Sequence, residues 1–359
     1  MATRRDFLAS LAGAAITVGA RPAFAGVPHL MSAARVGVSD EGVLWGENGL
    51  TPFKLPSRGH ALTHLSDGKI VVTGRRPGLF ASIVDPAHLD DLQVFQPAKN
   101  ARFAGHAAAS ADGAYLMCSE FDVDTVRAMI VSRDPATGAG RAVWTLNDIE
   151  PHELLFAKGG ARVVVAIGGL IKDGGVAGPA YNPGGIKSAV LEVDPKSGVV
   201  LARHALHPSF SSLSLRHLSL SPDGTTVAVA AQDQDLSETR PLVALLRLGK
   251  GIEQLPMPDV RDVDFRGYVG SIAFDAKGGY IAAASPRGSV LGVWSGSGAW
   301  CGALPIADVC GVAAGAEPNA FWASSGHGGI YKIFAAASGP RIVAQWHVDA
   351  GFDNHLLLV

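Results

Sequence analysis

"RGHALTHLSDGKIVVTGRR" runs from Arg58 to Arg76 and holds four signals in order: a Gly-His pair, a short apolar run, an Asp-Gly turn and a second apolar run. Glycine after aspartate lets the chain take a positive φ at little steric cost, which favours a tight reversal. Val71, Val72 and Thr73 are β-branched and suit a strand. The stretch therefore reads as a β-hairpin introduced by a histidine.

The same order recurs along the chain. "RGHAL" at 58–62 is echoed by "AGHAA" at 104–108, "EPHEL" at 150–154 and "LRHLS" at 215–219. "YVGSI" at 268–272, "DVCGV" at 308–312 and "DNHLL" at 353–357 complete the set. The aligned slot is occupied by His60, His106, His152, His217, Gly270, Cys310 and His355, separated by 46, 46, 65, 53, 40 and 45 residues. Turn signals follow the first five slots, at Ser66-Asp67-Gly68, Ala111-Asp112-Gly113, Lys158-Gly159-Gly160, Pro222-Asp223-Gly224 and Ala276-Lys277-Gly278. Second and third strand patterns come next in each unit, and then a looser fourth.

Four strands per unit at this period are the blades of a β-propeller. With 44 Gly and 21 Pro and no long amphipathic pattern after the N-terminal segment, the chain reads as all-β. Seven slots predict seven blades in a single domain, at about 58–103, 104–149, 150–214, 215–267, 268–307 and 308–350, with 26–57 plus 351–359 as the last. Three strand patterns precede the first slot and one follows the last slot. The C-terminal strand is therefore expected to complete the N-terminal sheet, a 3 + 1 closure that removes a free edge.

The first 25 residues are set apart from that fold. Arg4-Arg5, Phe7-Leu8, a modest apolar stretch and Ala23-Phe24-Ala25 before Gly26 form a twin-arginine export signal with an A-x-A cleavage site. Gly13 and Gly19 interrupt the apolar stretch, which is too short to span a bilayer. The mature chain is thus expected in the periplasm, with no transmembrane segment. Loss of Arg4, Arg5 and Arg21 with Asp6 takes the formal charge from −2 to about −4. A mildly acidic chain without a basic stripe argues against nucleic acid. Three cysteines, Cys118, Cys301 and Cys310, are too few for a disulfide framework, and Cys301 and Cys310 fall on outer and inner strands, too far apart to bridge.

In a propeller blade the innermost strand starts on the face to which the second strand returns. The slots and the loops between second and third strands therefore share one rim. Those loops carry Arg75-Arg76, Glu120–Asp124, a long excursion from Gly169 to Lys187, Gln232–Asp235, Arg287 and His327. Long loops on such a face are commonly functional. Arg75, Arg76 and Arg287 can hold a carboxylate or phosphate group. Asp122/Asp124 and Asp233/Asp235 lack the rest of a calcium loop and read as solvated carboxylates. "PHELLF" has Phe156 where a zincin helix needs its second histidine, "GHGGI" is no phosphate cradle, and no acid/base pair is defined.

Five histidines in seven equivalent slots, out of 12 in the chain, have two physical explanations. One is structural: each imidazole braces its blade by hydrogen bonding, as in Gly-His repeats, although the usual Trp-Asp partners are missing and Asp85, Asp134 and Asp194 begin Asp-Pro ends instead. The other is a ligand set on the axis. Neutral imidazole binds Zn, Cu and Fe ions, and a Cys310 thiolate suits copper or zinc. Both remain open on the sequence.

The strings "RGHALTHLSDGKIVVTGRRPG", "EPHELL", "VVAIGGL", "LRHLSLSPDGTTVAVAAQ", "YVGSIAFDAKGGYIAAASPRGS", "SSGHGGIY" and "DNHL" resemble a bacterial domain-of-unknown-function family of exported propellers. The resemblance covers nearly all of the mature chain. Its motif positions fall on His60, Arg75, Arg76, His106, Glu120, His152, Gly168, Gly169, Arg216, His217, Gln232, Arg287, Cys310, Asn354 and His355. Where the family tends to carry Asn-Asp after the glutamate of the second unit, this chain reads "EFD". Genes of the family typically lie beside imelysin-like, iron-associated periplasmic proteins and haem peroxidase-like proteins, which implies a link to iron or metal uptake and no particular reaction. The expectation is a monomeric binding protein with a transition metal (Fe, Cu or Zn) on His60, His106, His152, His217, His355 and Cys310. Arg75, Arg76, Glu120, Arg216, Gln232, Arg287 and Asn354 are expected to contact the ligand. The alternatives are a metal-dependent hydrolase or lyase, and a docking scaffold with structural histidines.

Overall fold

The computed structural model describes residues 28–170, 182, 185–258 and 263–359. The export signal and most of the 169–187 excursion lie outside the described residues. No described helix is long and apolar enough to cross a membrane.

Seven four-stranded antiparallel sheets form a ring, each numbered outward from its inner strand. The inner strands, in order around the ring, are Gly59–His64, Ala101–Ala109, Pro151–Ala157, Leu213–Leu220, Ser271–Phe274, Val309–Ala314 and Gly351–Leu358. They define the first to sixth blades and the closing blade. In the closing blade, Gly351–Leu358 pairs with Leu30–Val36, which pairs in turn with Ser39–Gly46 and then Gly49–Lys54. The expected 3 + 1 closure is therefore the architecture, and a seven-bladed β-propeller is the fold.

Burial explains the strand patterns. Second strands such as Ile70–Gly74 and Arg162–Ile167 lie between neighbouring blades and are buried on both faces, so they read as apolar runs rather than alternations. Outer strands such as Gly140–Ile149 meet water and alternate. The apolar side chains gather between adjacent sheets, as where Val163, Val165 and Ile167 of the third blade meet Met117 and Ile130 of the second. The Asp-Gly turns join first and second strands: the Asp112 carboxylate accepts from Ala114 N and Ser110 Oγ, and Gly113 takes φ 71°. The Asp-Pro ends are turns between third and fourth strands, where Asp134 and Asp194 accept from backbone N–H groups two and three residues on.

A candidate metal and anion site on the propeller axis

The slot residues sit on irregular backbone. In the first blade, His60 and Ala61 stand between the pairs Gly59–Gly74 and Leu62–Val72, so two residues oppose Thr73 alone. His152 and Glu153 oppose Ala166 alone, and Cys310 and Gly311 oppose Ser324. Three residues ending in His106 oppose Ser119, and three ending in His355 oppose Ala33. Arg216 is a single extra residue beside His217. The fifth inner strand, which follows Gly270, pairs without a shift. Bulges bend a strand and re-aim its side chains, and are over-represented near functional sites.

A bulge leaves backbone groups without ladder partners, and hydroxyls take several of them. Thr73 Oγ1 donates to Ala61 O (3.2 Å), Ser119 Oγ to His106 O (3.2 Å) and Ser32 Oγ to His355 O (2.6 Å). Gly311 N donates to Ser324 Oγ (3.2 Å).

The five imidazoles converge. His106 is the hub: its ring centroid lies 5.0 Å from His60, 4.8 Å from His152, 5.6 Å from His217 and 4.8 Å from His355. Two triads, His60–His106–His152 and His106–His217–His355, each bring three ring nitrogens within 4.8 Å of one another. An ion bonded to imidazole nitrogens at about 2.1 Å spaces them by up to about 4.2 Å, so slight inward movement closes either triad.

Burial lowers the pKa of His106, His152, His217 and His355 well below the ordinary histidine value of 6.5; like charge on neighbouring imidazoles adds to this, as does Arg216 for the first three, while Glu153 and Asp353 oppose it at His355. These four rings are neutral at neutral pH, the form that binds metals. His106 Nε2, His152 Nδ1 and His355 Nε2 are buried and have no hydrogen-bond partner. The other two rings lie beside carboxylates. His217 Nδ1 donates to Glu153 Oε2 (3.3 Å), which leaves Nε2 as an acceptor. His60 Nδ1 lies 3.4 Å from Asp353 Oδ1, close enough for charge attraction but without hydrogen-bond geometry, so it too is a buried nitrogen without a partner. A carboxylate behind a ligand histidine fixes its tautomer and raises its basicity. The residues present thus fit a transition ion.

His60, His152 and His217 also line a cavity of about 590 Å³ whose walls carry Arg58, Arg75, Arg76, Arg216, Arg287, Gln232, Tyr268, Asp308, Cys310, Asp353 and Asn354. Arg58 and Arg75 both pair with Asp353, at 2.7 and 3.1 Å. Burial alone would raise the Asp353 pKa, but His60 and these two guanidiniums outweigh it and hold the carboxyl below its usual range. Arg76 and Arg216 both pair with Glu150, whose pKa they lower against the opposing effect of burial. Arg287 stacks on Tyr268, 4.6 Å from the ring centroid, and Asn354 Nδ2 donates to the Tyr268 hydroxyl (2.9 Å).

Of the expected ligand contacts, Arg75, Arg76, Arg216, Gln232, Arg287 and Asn354 line this cavity and Glu120 does not; of the expected metal ligands, His60, His152, His217 and Cys310 line it, while His106 and His355 lie outside its lining. Glu120 is fully buried inside the second blade, where it pairs with Arg133 and accepts from Ala98 N (2.7 Å). It faces blade packing and not the axis. Cys310 lines the cavity but belongs to neither imidazole triad. Its thiol donates to Asp308 O (3.1 Å), and burial, with the Asp308 charge, pushes its pKa up to about 12. Without an ion beside it, Cys310 is therefore a thiol, and it stands apart from the imidazole triads. The aspartate pair at 233 and 235 is corrected, because Asp233 is buried against Arg240 instead of solvated.

Sequence reasoning missed Arg58, Glu150, Glu153, Asp308 and Asp353. All five stand within two residues of a slot, inside the repeated pentapeptides. Their signal was position beside the slot, which residue type alone does not mark.

No curated protein matches the chain. Solved structures share its fold at low identity. A chain of Kuenenia stuttgartiensis hydrazine synthase aligns with a TM-score of 0.63 at 15% identity, over 87% of this chain and 96% of that one. The Cps50 (Swd1) β-propeller domain of Myceliophteria thermophila aligns at 0.58 and 14% identity, over 84% and 94%. A chain of a mitotic checkpoint complex gives 0.57 at 9%, over 80% and 76%. Identities this low speak for the propeller and not for an activity. Residues 53–359 match one family throughout, and the chain accordingly belongs to the family described as "Protein of unknown function (DUF1513)".

Proposed function

We propose that this propeller is a periplasmic binding protein of a metal-uptake system, iron being the metal the family resemblance favours, and that it holds a transition ion on the axial imidazoles. The observation that carries the reading is the convergence of buried, neutral histidines with partnerless ring nitrogens. A buried polar atom without a partner is costly, and a ligand satisfies it. Support for export comes from Arg4-Arg5 and Ala23-Phe24-Ala25. Imelysin-like proteins are the partners to which the resemblance points.

A second reading has its own observation. The His217–Glu153 and His60–Asp353 contacts each tie one blade to the next, which is what bracing histidines would do in a docking scaffold.

Elemental analysis of the folded, exported protein separates the two. Stoichiometric Fe, Cu or Zn is expected in the wild type, with loss in a His106→Ala/His152→Ala double variant that still folds. Metal-free wild-type protein that neither Zn(II), Cu(II) nor Fe(II) reconstitutes, together with severe destabilisation by either single change, would instead assign the histidines to bracing.

A further inference from the structure

We infer that the ion enters this site as an anionic chelate, a small di- or tricarboxylate complex whose free carboxylates are held by the arginine walls; this rests on the metal-binding reading above. The walls are overcharged for a bare cation. Five guanidiniums face the cavity, and carboxylates neutralise them only in part: Asp353 is shared by Arg58 and Arg75, and Glu150 by Arg76 and Arg216. Asp308 also faces the cavity, so three carboxylates stand against five guanidiniums. Arg287 touches Tyr268 and has no carboxylate partner among the described residues. A naked divalent ion approaching the imidazoles meets this excess positive charge, whereas a complex carrying net negative charge is drawn in.

Size and donor placement agree. A volume of about 590 Å³ is that of some twenty liquid waters, far more than an ion needs. The donors stand in three arms around the imidazoles. Arg58 and Arg75 form one, with side chains 48% and 42% exposed, so that N–H groups beyond those on Asp353 remain free. Arg76 and Arg216 form the second. Arg287, Asn354 and Tyr268 form the third, and the Tyr268 hydroxyl, which accepts from Asn354, keeps its own proton to donate. The guanidinium fork matches a carboxylate in two parallel hydrogen bonds. Three separated arms suit carboxylates on different carbons better than one tetrahedral phosphate. The imidazoles then take coordination positions that the chelator leaves open.

Equilibrium dialysis of the full exported chain tests this, with Zn(II) and citrate as probes and phosphate and pyrophosphate as competing anions. Because coupling between two ligands is reciprocal, Zn(II) should raise citrate affinity and citrate should raise Zn(II) affinity by the same factor, at least tenfold. Arg287→Ala, which breaks no ion pair, should reduce that factor about tenfold while Zn(II) alone binds at least as tightly as to the wild type. Arg287→Lys should recover part of it. Citrate stripping Zn(II) from the protein, or pyrophosphate retaining Zn(II) more tightly than citrate does, would overturn the inference while the metal site stands. Failure of Zn(II) to bind in any form would remove the metal reading and the inference with it, a result distinct from either.

Discussion

His106 shows what burial does to an imidazole. It touches all four other rings of the cluster and is 1% exposed, so a proton on it would bring an unsolvated charge among like charges. With His152, His217 and His355 in the same state, folding depends on pH in a definite sense. Below about pH 6.5 the unfolded chain takes up protons that the folded chain refuses, so stability falls with pH by up to about 1.4 kcal/mol per unit for each of the four. Thermal unfolding of the metal-free protein from pH 8 to 5 should show a flat upper region and a steep loss below pH 6.5; no loss there would mean that the rings are not neutral in the fold. Glu120 makes the contrasting case. Its pair with Arg133 is buried within one blade, so Glu120→Gln should cost about 3–5 kcal/mol by denaturant unfolding while leaving metal content unchanged. Glu120→Leu with Arg133→Met should recover most of that loss. Sequence position put Glu120 in a loop on the ligand face, whereas the second strand continues through Leu116–Asp122 and buries it inside the blade.

At the scale of the strand, the bulge is the device that builds the site. Six of the seven inner strands shift register, and the unshifted one follows Gly270. Repeats and slots were legible because residue type and spacing carry them, whereas a register shift has no residue type of its own. It does leave a trace, a hydroxyl inside an apolar second strand: Thr73 in "IVVTG", Ser119 in "LMCSE" and Ser324 in "FWASS". Thr73 Oγ1 shares its one proton between Ala61 O and Gly105 O of the next blade, the latter being the nearer, so one hydroxyl reaches two bulges. Thr73→Val keeps the shape and strands both carbonyls, at a cost of about 1–3 kcal/mol. Denaturant midpoints should report that loss, together with weaker metal retention, because His60 and His106 ride on the released backbone. Unchanged metal retention in a destabilised Thr73→Val protein would show that the bulges do not position the rings.

The whole molecule depends on one seam. Gly351–Leu358 supplies the inner strand of a blade whose other strands come from the N-terminal end, and it buries Phe352 and Leu356. A chain ending at Ala350 loses about 1.5–3 kcal/mol for each of those side chains and exposes the unpaired edge of Leu30–Val36. Its melting temperature should fall by at least ~10 °C, and size-exclusion chromatography should show oligomers formed at that edge. A monomeric truncation with wild-type melting would mean that the ring holds without its seam. The closure itself was legible, since three strand patterns before the first slot matched one after the last. Its reach into the site was not, because Asp353 and Asn354 look like ordinary polar residues until the strand is laid beside its neighbours. Ser32 and His355, joined by a hydrogen bond, are 323 residues apart in the chain. The strand that closes the ring thus carries Asp353, Asn354 and His355 into the site. The full donor set exists only in the closed ring, so opening the seam would scatter the site before any blade unfolds.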